Sequence, residues 1–149
     1  MAHIVILGAG IGGMACAYEM REQVRPEDSV TVISDSPLFQ FVPSNPWVAV
    51  NWRTKEDITI PIEPYFERKG IKLIATPAKR VHPEKNQVEM SDGTTIDYDF
   101  LVIATGAKLA FDEVEGMGPG KNTHSVCHVD HAVEASKAWN DFIKDPGQI

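Results

Sequence analysis

The sequence predicts an α/β fold: a parallel sheet with helices packed against it, and a three-stranded antiparallel meander inserted before the last strand. Three observations predict it. Short β-branched runs without charge alternate with segments of helical spacing. The first run hands over to a glycine-rich turn between Gly8 and Gly13. Late in the chain, turn signals crowd together, Asp92-Gly93 among them, and break the α/β rhythm into short strands.

The elements follow in order. His3-Ile4-Val5-Ile6-Leu7 reads as a strand buried on both faces. Gly8, Gly10 and Gly13 then fall on the G-x-G-x-x-G spacing, with Ile11 and Gly12 inside it. Gly8 permits the tight strand-to-helix turn, Gly10 clears space for a phosphate at the backbone, and Gly13 lets the helix lie close to the strand. The helix that begins there, expected from Gly12 to about Val24, aims its free N–H groups and its dipole at an anion. This is the Rossmann-like signature, in the strand–turn–helix context that makes it informative. Ser29 to Ile33 forms the second strand and completes a βαβ unit. Its end, where such folds often offer a carboxylate to a ribose, carries Ser34, with Asp35 one residue later. Asp35-Ser36-Pro37 also reads as a plain turn.

Leu38 to Trp52 is rich in proline and aromatics and is expected to be irregular, with too many prolines for a helix. Its two phenylalanines and two tryptophans imply that it covers something. Glu63 to Lys69 is expected to be a short helix ending at Gly70, and Ile71 to Ile74 the next parallel strand. Lys79–His82, Asn86–Met90 and Thr94–Tyr98 make the meander. Tyr98 to Gly106 reads as a buried strand closing on Ala104-Thr105-Gly106, small residues that leave room beside the first glycine turn. Asp130 is placed as the cap of a last helix running to about Lys144. Pro146 to Ile149 resembles the start of a further strand.

A chain of 149 residues with 43% apolar residues suffices for one domain, taken as 1–149. A net charge of −7 and the lack of a basic cluster argue against nucleic acid as a partner. No run reaches the length of a membrane span, and the N-terminal run reads as core strand and not as a secretion signal. Cys16 and Cys127 are too few for a disulfide framework, which fits a reducing compartment. Cys16, mid-helix, reads as a buried small side chain. Cys127 is surrounded by His124, His128, Asp130 and His131. Protonated imidazoles would activate it as a nucleophile. An ordinary loop thiol and a zinc ligand are the other readings, the last lacking a second Cys/His cluster.

The glycine turn, the meander and the Ala104-Thr105-Gly106 strand resemble the FAD/NAD(P)-binding domain of disulfide-reductase-like flavoproteins. Within that superfamily, Phe39-Gln-Phe-Val-Pro-Ser-Asn-Pro-Trp47, Phe66-Glu-Arg-Lys-Gly-Ile71, Lys108-Leu-Ala-Phe111 and Ser125-Val-Cys-His-Val-Asp-His131 resemble the sulfide:quinone oxidoreductases. The resemblance implies a FAD-dependent enzyme with sulfide and quinone as substrates, cytoplasmic or peripheral to an inner membrane. It implies that Gly8 to Gly13 hold the FAD pyrophosphate, that Ser34 meets the adenosine ribose, with Asp35 beside it as a further cofactor-binding candidate, and that the Ala78 backbone meets the adenine. Thr105 and Gly106 would line the cofactor near its phosphates, Asn45 and Trp47 the flavin end, and Cys127 would be the catalytic accessory thiol.

Members of that family are more than twice this length. The chain is therefore expected to be an N-terminal piece, inactive alone, with membrane contact confined to the absent part. Two other readings stay open. One is another flavin-dependent reductase, such as a type II NADH dehydrogenase or a sulfide dehydrogenase flavoprotein subunit. The other is a non-catalytic nucleotide- or metal-binding module.

Overall fold

The computed structural model describes residues 1–147, so the expected further strand at 146–149 falls partly outside them. In chain order the elements are β1 (His3–Leu7), α1 (Ile11–Gln23), β2 (Ser29–Ile33), β3 (Leu38–Gln40), α2 (Asn45–Ala49), β4 (Thr59–Pro61), α3 (Glu63–Glu67), β5 (Ile71–Ile74), β6 (Ala78–His82), β7 (Gln87–Met90), β8 (Thr95–Asp97), β9 (Phe100–Ile103) and α4 (Val129–Phe142). They divide into two compact units: Met1–Phe39 with Pro61–Ala107, and Gln40–Ile60 with the residues from Lys108 onward.

The first unit is built on a four-stranded sheet of order β5-β2-β1-β9, parallel throughout. Because side chains alternate across a strand, the uninterrupted apolar run of β1 serves two cores at once. Ile4 and Ile6 pack with Val30, Val32, Ala17, Ile62 and Phe66 on the side of α1 and α3. Val5 and Leu7 pack with Ile33, Val88 and Met90 on the side of the antiparallel meander β6-β7-β8. The meander is thus the lid of the second core, not an appendage. At the opposite end of the sheet, Asp28 ties the β1 and β2 ends together. Its carboxylate accepts the Ala2 N–H at 2.6 Å and pairs with the Arg25 guanidinium at 3.0 Å. Those bonds, the Arg25 one foremost, hold the Asp28 carboxyl below the ordinary carboxylate range.

In the second unit α2 and α4 form the core, with Val48, Ala49 and Ile58 against Val129 and Ala132. Asn51 leaves α2 in the left-handed region at φ 62°. Its amide is fixed there by Ser136, which donates to Oδ1 at 2.8 Å, and by Asn140, which accepts from Nδ2 at 2.8 Å. No described helix is long and apolar enough to cross a membrane.

Two expectations are corrected. The proline-rich stretch is not irregular throughout: it holds β3, a 3₁₀ turn at Val42–Ser44, and α2. Pro46 sits in the first turn of α2, where the missing N–H costs nothing. Asp130 does not cap α4; His128 occupies the cap position without a side-chain bond, and Asp130 lies in the first turn. There it complements the helix dipole and pairs with Lys55 at 2.5 Å. Elsewhere the boundaries move by one to three residues, with α1 starting at Ile11 and β9 ending at Ile103.

Candidate functional site

The ends of four parallel strands converge on one hollow. It is lined by Leu7 and Gly8 at the end of β1, Ile33, Ser34 and Asp35 at the end of β2, Pro77 and Ala78 beyond β5, and Thr105 beyond β9. Its cavity volume is about 220 Å³. Strand β1 connects to β2 on one side and lies against β9 on the other. The hollow therefore opens at the carboxyl ends of the strands, where open α/β sheets bind ligands.

Each glycine of the turn answers to a different demand. Gly8 has φ +101°, and a Cβ there would lie 2.4 Å from the Ala104 carbonyl oxygen. A Cβ on Gly13 would lie 1.9 Å from the Gly8 carbonyl oxygen. Both are required by the packing of the turn itself. Gly10 differs, because a Cβ there meets nothing within 4 Å, and the same holds for Gly12. Packing within the chain leaves that space open.

Helix α1 begins beside it. Met14 N–H donates to the Gly10 carbonyl at 2.9 Å, so the N–H groups of Ile11, Gly12 and Gly13 precede the first intrahelical bond. No side chain caps them and no acidic residue lies in the first turn. Free donors, the positive end of a helix dipole and open space together fit a pyrophosphate.

Around the hollow, Ser34 is buried, and its Oγ accepts the Ser36 N–H at 3.2 Å, leaving its own O–H to donate. Asp35 is exposed on the rim. Ala78 and Thr105 lie on the wall, and Gly106, at φ +71°, follows without lining it. Leu7, Ile33 and Pro77 were not anticipated as lining residues, since only the strand order brings them there.

The remaining candidates belong to the second unit. Asn45 is fully buried; its Oδ1 accepts from Gln40 Nε2 at 3.1 Å, while its Nδ2 has no partner. Trp47 is half-exposed, with the Arg53 guanidinium 4.2 Å from its ring centroid. Arg53 was not anticipated. Cys127 is a free, exposed thiol whose backbone N–H donates to Ser125 Oγ at 3.2 Å. Nearby, the His128 and His131 rings meet edge-on at 5.2 Å. Among the described residues no group of three or more His, Cys, Asp or Glu side chains is arranged to hold a metal ion.

The chain is similar to known proteins along its whole length. It is 39% identical to the sulfide-quinone reductase of Aquifex aeolicus over 147 residues, covering 99% of this chain and 33% of that protein. It is 27% identical to the mitochondrial sulfide:quinone oxidoreductase of Dictyostelium discoideum over 148 residues, 98% of this chain and 32% of the relative. The X-ray structure of the Aquifex aeolicus sulfide:quinone oxidoreductase superposes with a TM-score of 0.89 at 38% identity, over 99% of this chain and 33% of that one. The Plasmodium falciparum NDH2 structure shares the fold, with a TM-score of 0.75 at 23% identity over 96% of this chain and 30% of its own. The chain thus spans about a third of the length of the relatives it matches. The pyridine nucleotide-disulphide oxidoreductase family matches residues 2–143, and with the parallel sheet and glycine turn described above this shows that the chain belongs to that family.

Proposed function

We propose that this chain is the FAD-holding part of an oxidoreductase that oxidises sulfide and passes the electrons to a quinone. The observation that carries the reading is the open space at Gly10 beside the uncapped start of α1, in a chain 39% identical to a sulfide-quinone reductase. FAD, when bound, supplies the two-electron redox chemistry that side chains lack.

The chain's own residues bind and orient. The N–H groups of Ile11, Gly12 and Gly13 take the pyrophosphate, with Gly8 shaping the turn and Gly10 keeping the approach clear. Ser34 donates its hydroxyl to the ribose and Asp35 accepts from it. Ala78 meets the adenine, and Thr105 and Gly106 the phosphate side. Asn45 and Trp47 belong to the second unit, where the unpartnered Asn45 Nδ2 is a buried donor in need of an acceptor. Cys127 is an accessory thiol on the sulfide route. The whole enzyme is cytoplasmic or peripheral to an inner membrane.

The test is a titration with FAD followed by anaerobic reduction. Bound FAD gives the visible flavin bands, and sulfide bleaches them in a protein that spans the full length of the relatives. Bleaching by NADH and not by sulfide would replace this reading with a type II NADH dehydrogenase. A chain that takes up no FAD would remove both.

A further inference from the structure

We propose that a β-bulge at Lys79 positions the adenine wall of the hollow, with Lys79 as the positioning residue that enforces it; this rests on reading the hollow as a nucleotide site. Every residue involved lies in the first unit. Between β6 and β7 the register pairs His82 with Gln87, Val81 with Val88 and Arg80 with Glu89. A regular ladder would next set position 79 opposite Met90. The pairing shifts there instead: Ala78 stands opposite Met90, and Lys79 is the extra residue.

The cause lies in the side chains. Val88 and Met90 are fully buried on the core face, and Val81 packs with them. Paired residues share a face, so a regular strand would drive the Lys79 ammonium into that core without a partner, where a charge is untenable. The bulge releases it. Lys79 is 64% exposed and donates to Glu89 Oε1 at 2.6 Å on the solvent face, where His82 Nε2 lies 3.1 Å from Glu89 Oε2. An ion pair this exposed contributes little by itself. What decides the register is the exclusion of lysine from the place opposite Met90.

The consequence reaches the hollow. Ala78 takes the place opposite Met90 yet is exposed, because the core ends there and the cavity begins, with Pro77 and Ala78 on its wall. The bulge follows Ala78 directly, and the Pro77 carbonyl before it accepts the Ser91 N–H at 2.8 Å. This short wall is thus fixed on both sides. A regular ladder would slip Ala78 by one place, which turns its side chain to the opposite face of the meander. Lys79 therefore acts on the base through Ala78, and not by its charge.

The experiment is calorimetric titration of ADP and GDP into the chain and three variants, with a melting curve for each. Valine can occupy the place opposite Met90, so Lys79→Val makes the regular ladder available, and NMR contacts between the introduced methyls and Met90 report it. Lys79→Ala opens the same register with less bulk and decides the matter should the valine variant not fold. Both are expected to weaken ADP binding about five- to tenfold, the worth of one hydrogen bond at the base, and to leave GDP binding as it was. Lys79→Gln is uncharged but still too polar for the core, and it is expected to keep the bulge and the preference of the parent for ADP. Four results would overturn the bulge proposal and leave the nucleotide site standing. They are a parent that binds ADP and GDP alike, equal weakening of the two, a glutamine variant as weak as valine, and valine methyls away from Met90 or without effect on ADP. A parent chain that binds no ADP would overturn both readings.

Discussion

A Cβ on Gly13 would sit 1.9 Å from the carbonyl oxygen of Gly8, whereas the same atom on Gly10 would touch nothing. Glycines of one motif therefore carry separable duties. Gly13→Ala forces α1 away from the β1 turn and is expected to cost about 1–3 kcal/mol of stability, the usual range for overpacking. Gly10→Val is expected to leave the melting temperature close to the parent's and to abolish FAD binding, because its branched side chain fills the phosphate approach. Melting curves and FAD titration of the two variants check the contrast. Retained FAD affinity in Gly10→Val would remove the pyrophosphate assignment.

The meander should matter to the ligand through the core beneath it. Val88 and Met90 are fully buried against Val5, Leu7 and Ile33, and the first meander strand begins at Ala78 on the wall of the hollow. Met90→Ala is expected to lower stability by about 2–5 kcal/mol, the range for truncating a buried methionine. It is also expected to weaken FAD binding, since β6 loses its footing on the sheet. A stability loss with FAD affinity untouched would show that the adenine wall does not depend on that core.

Acid sensitivity is expected at the other end of the sheet. Asp28 is held below the ordinary carboxylate range by Arg25 and by the Ala2 N–H. Its folded pKa being depressed, its contribution is complete above the unfolded value of 3.8, begins to shrink below it, and is lost as pH falls through the depressed folded value. Asp28→Asn is therefore expected to melt lower than the parent near neutral pH, with the gap closing below about pH 4. Denaturation curves at pH 7 and pH 3 read this directly. A gap that is constant across that range would mean the carboxylate charge is not what ties β1 to β2.

Much of this was legible from residue order. The β-branched run His3–Leu7, the glycine spacing and the Asp92-Gly93 turn each follow a local rule, and each element appears where the rule puts it. Asp92 even bonds the Thr94 N–H and hydroxyl as such turns require. What escaped was set by neighbours distant in sequence or by position within an element. Pro46 reads as a breaker, yet its place in the first turn makes it compatible with α2. Arg53 reaches Trp47 only because Asn51 turns the chain back at positive φ, a conformation that Ser136 and Asn140 hold from α4. Leu7, Ile33 and Pro77 join the hollow through strand order, which periodicity does not encode.

Asp35 tests the ribose end of the site. It lies on the rim of the hollow after β2, exposed, one residue beyond the buried Ser34. A carboxylate there accepts from ribose hydroxyls and repels a phosphate esterified to the 2′ oxygen. Asp35→Asn is expected to weaken ADP binding about three- to tenfold, the loss of one charged hydrogen bond at a solvated site. Binding of 2′-phosphorylated ADP is expected to hold or improve, because the substitution removes the like charge. The melting temperature should not move, since no other side chain depends on this carboxylate among the described bonds. Titration calorimetry with the two nucleotides reads the ratio. Unchanged binding of both would leave Asp35 as a turn residue and put the whole ribose contact on the hydroxyl of Ser34.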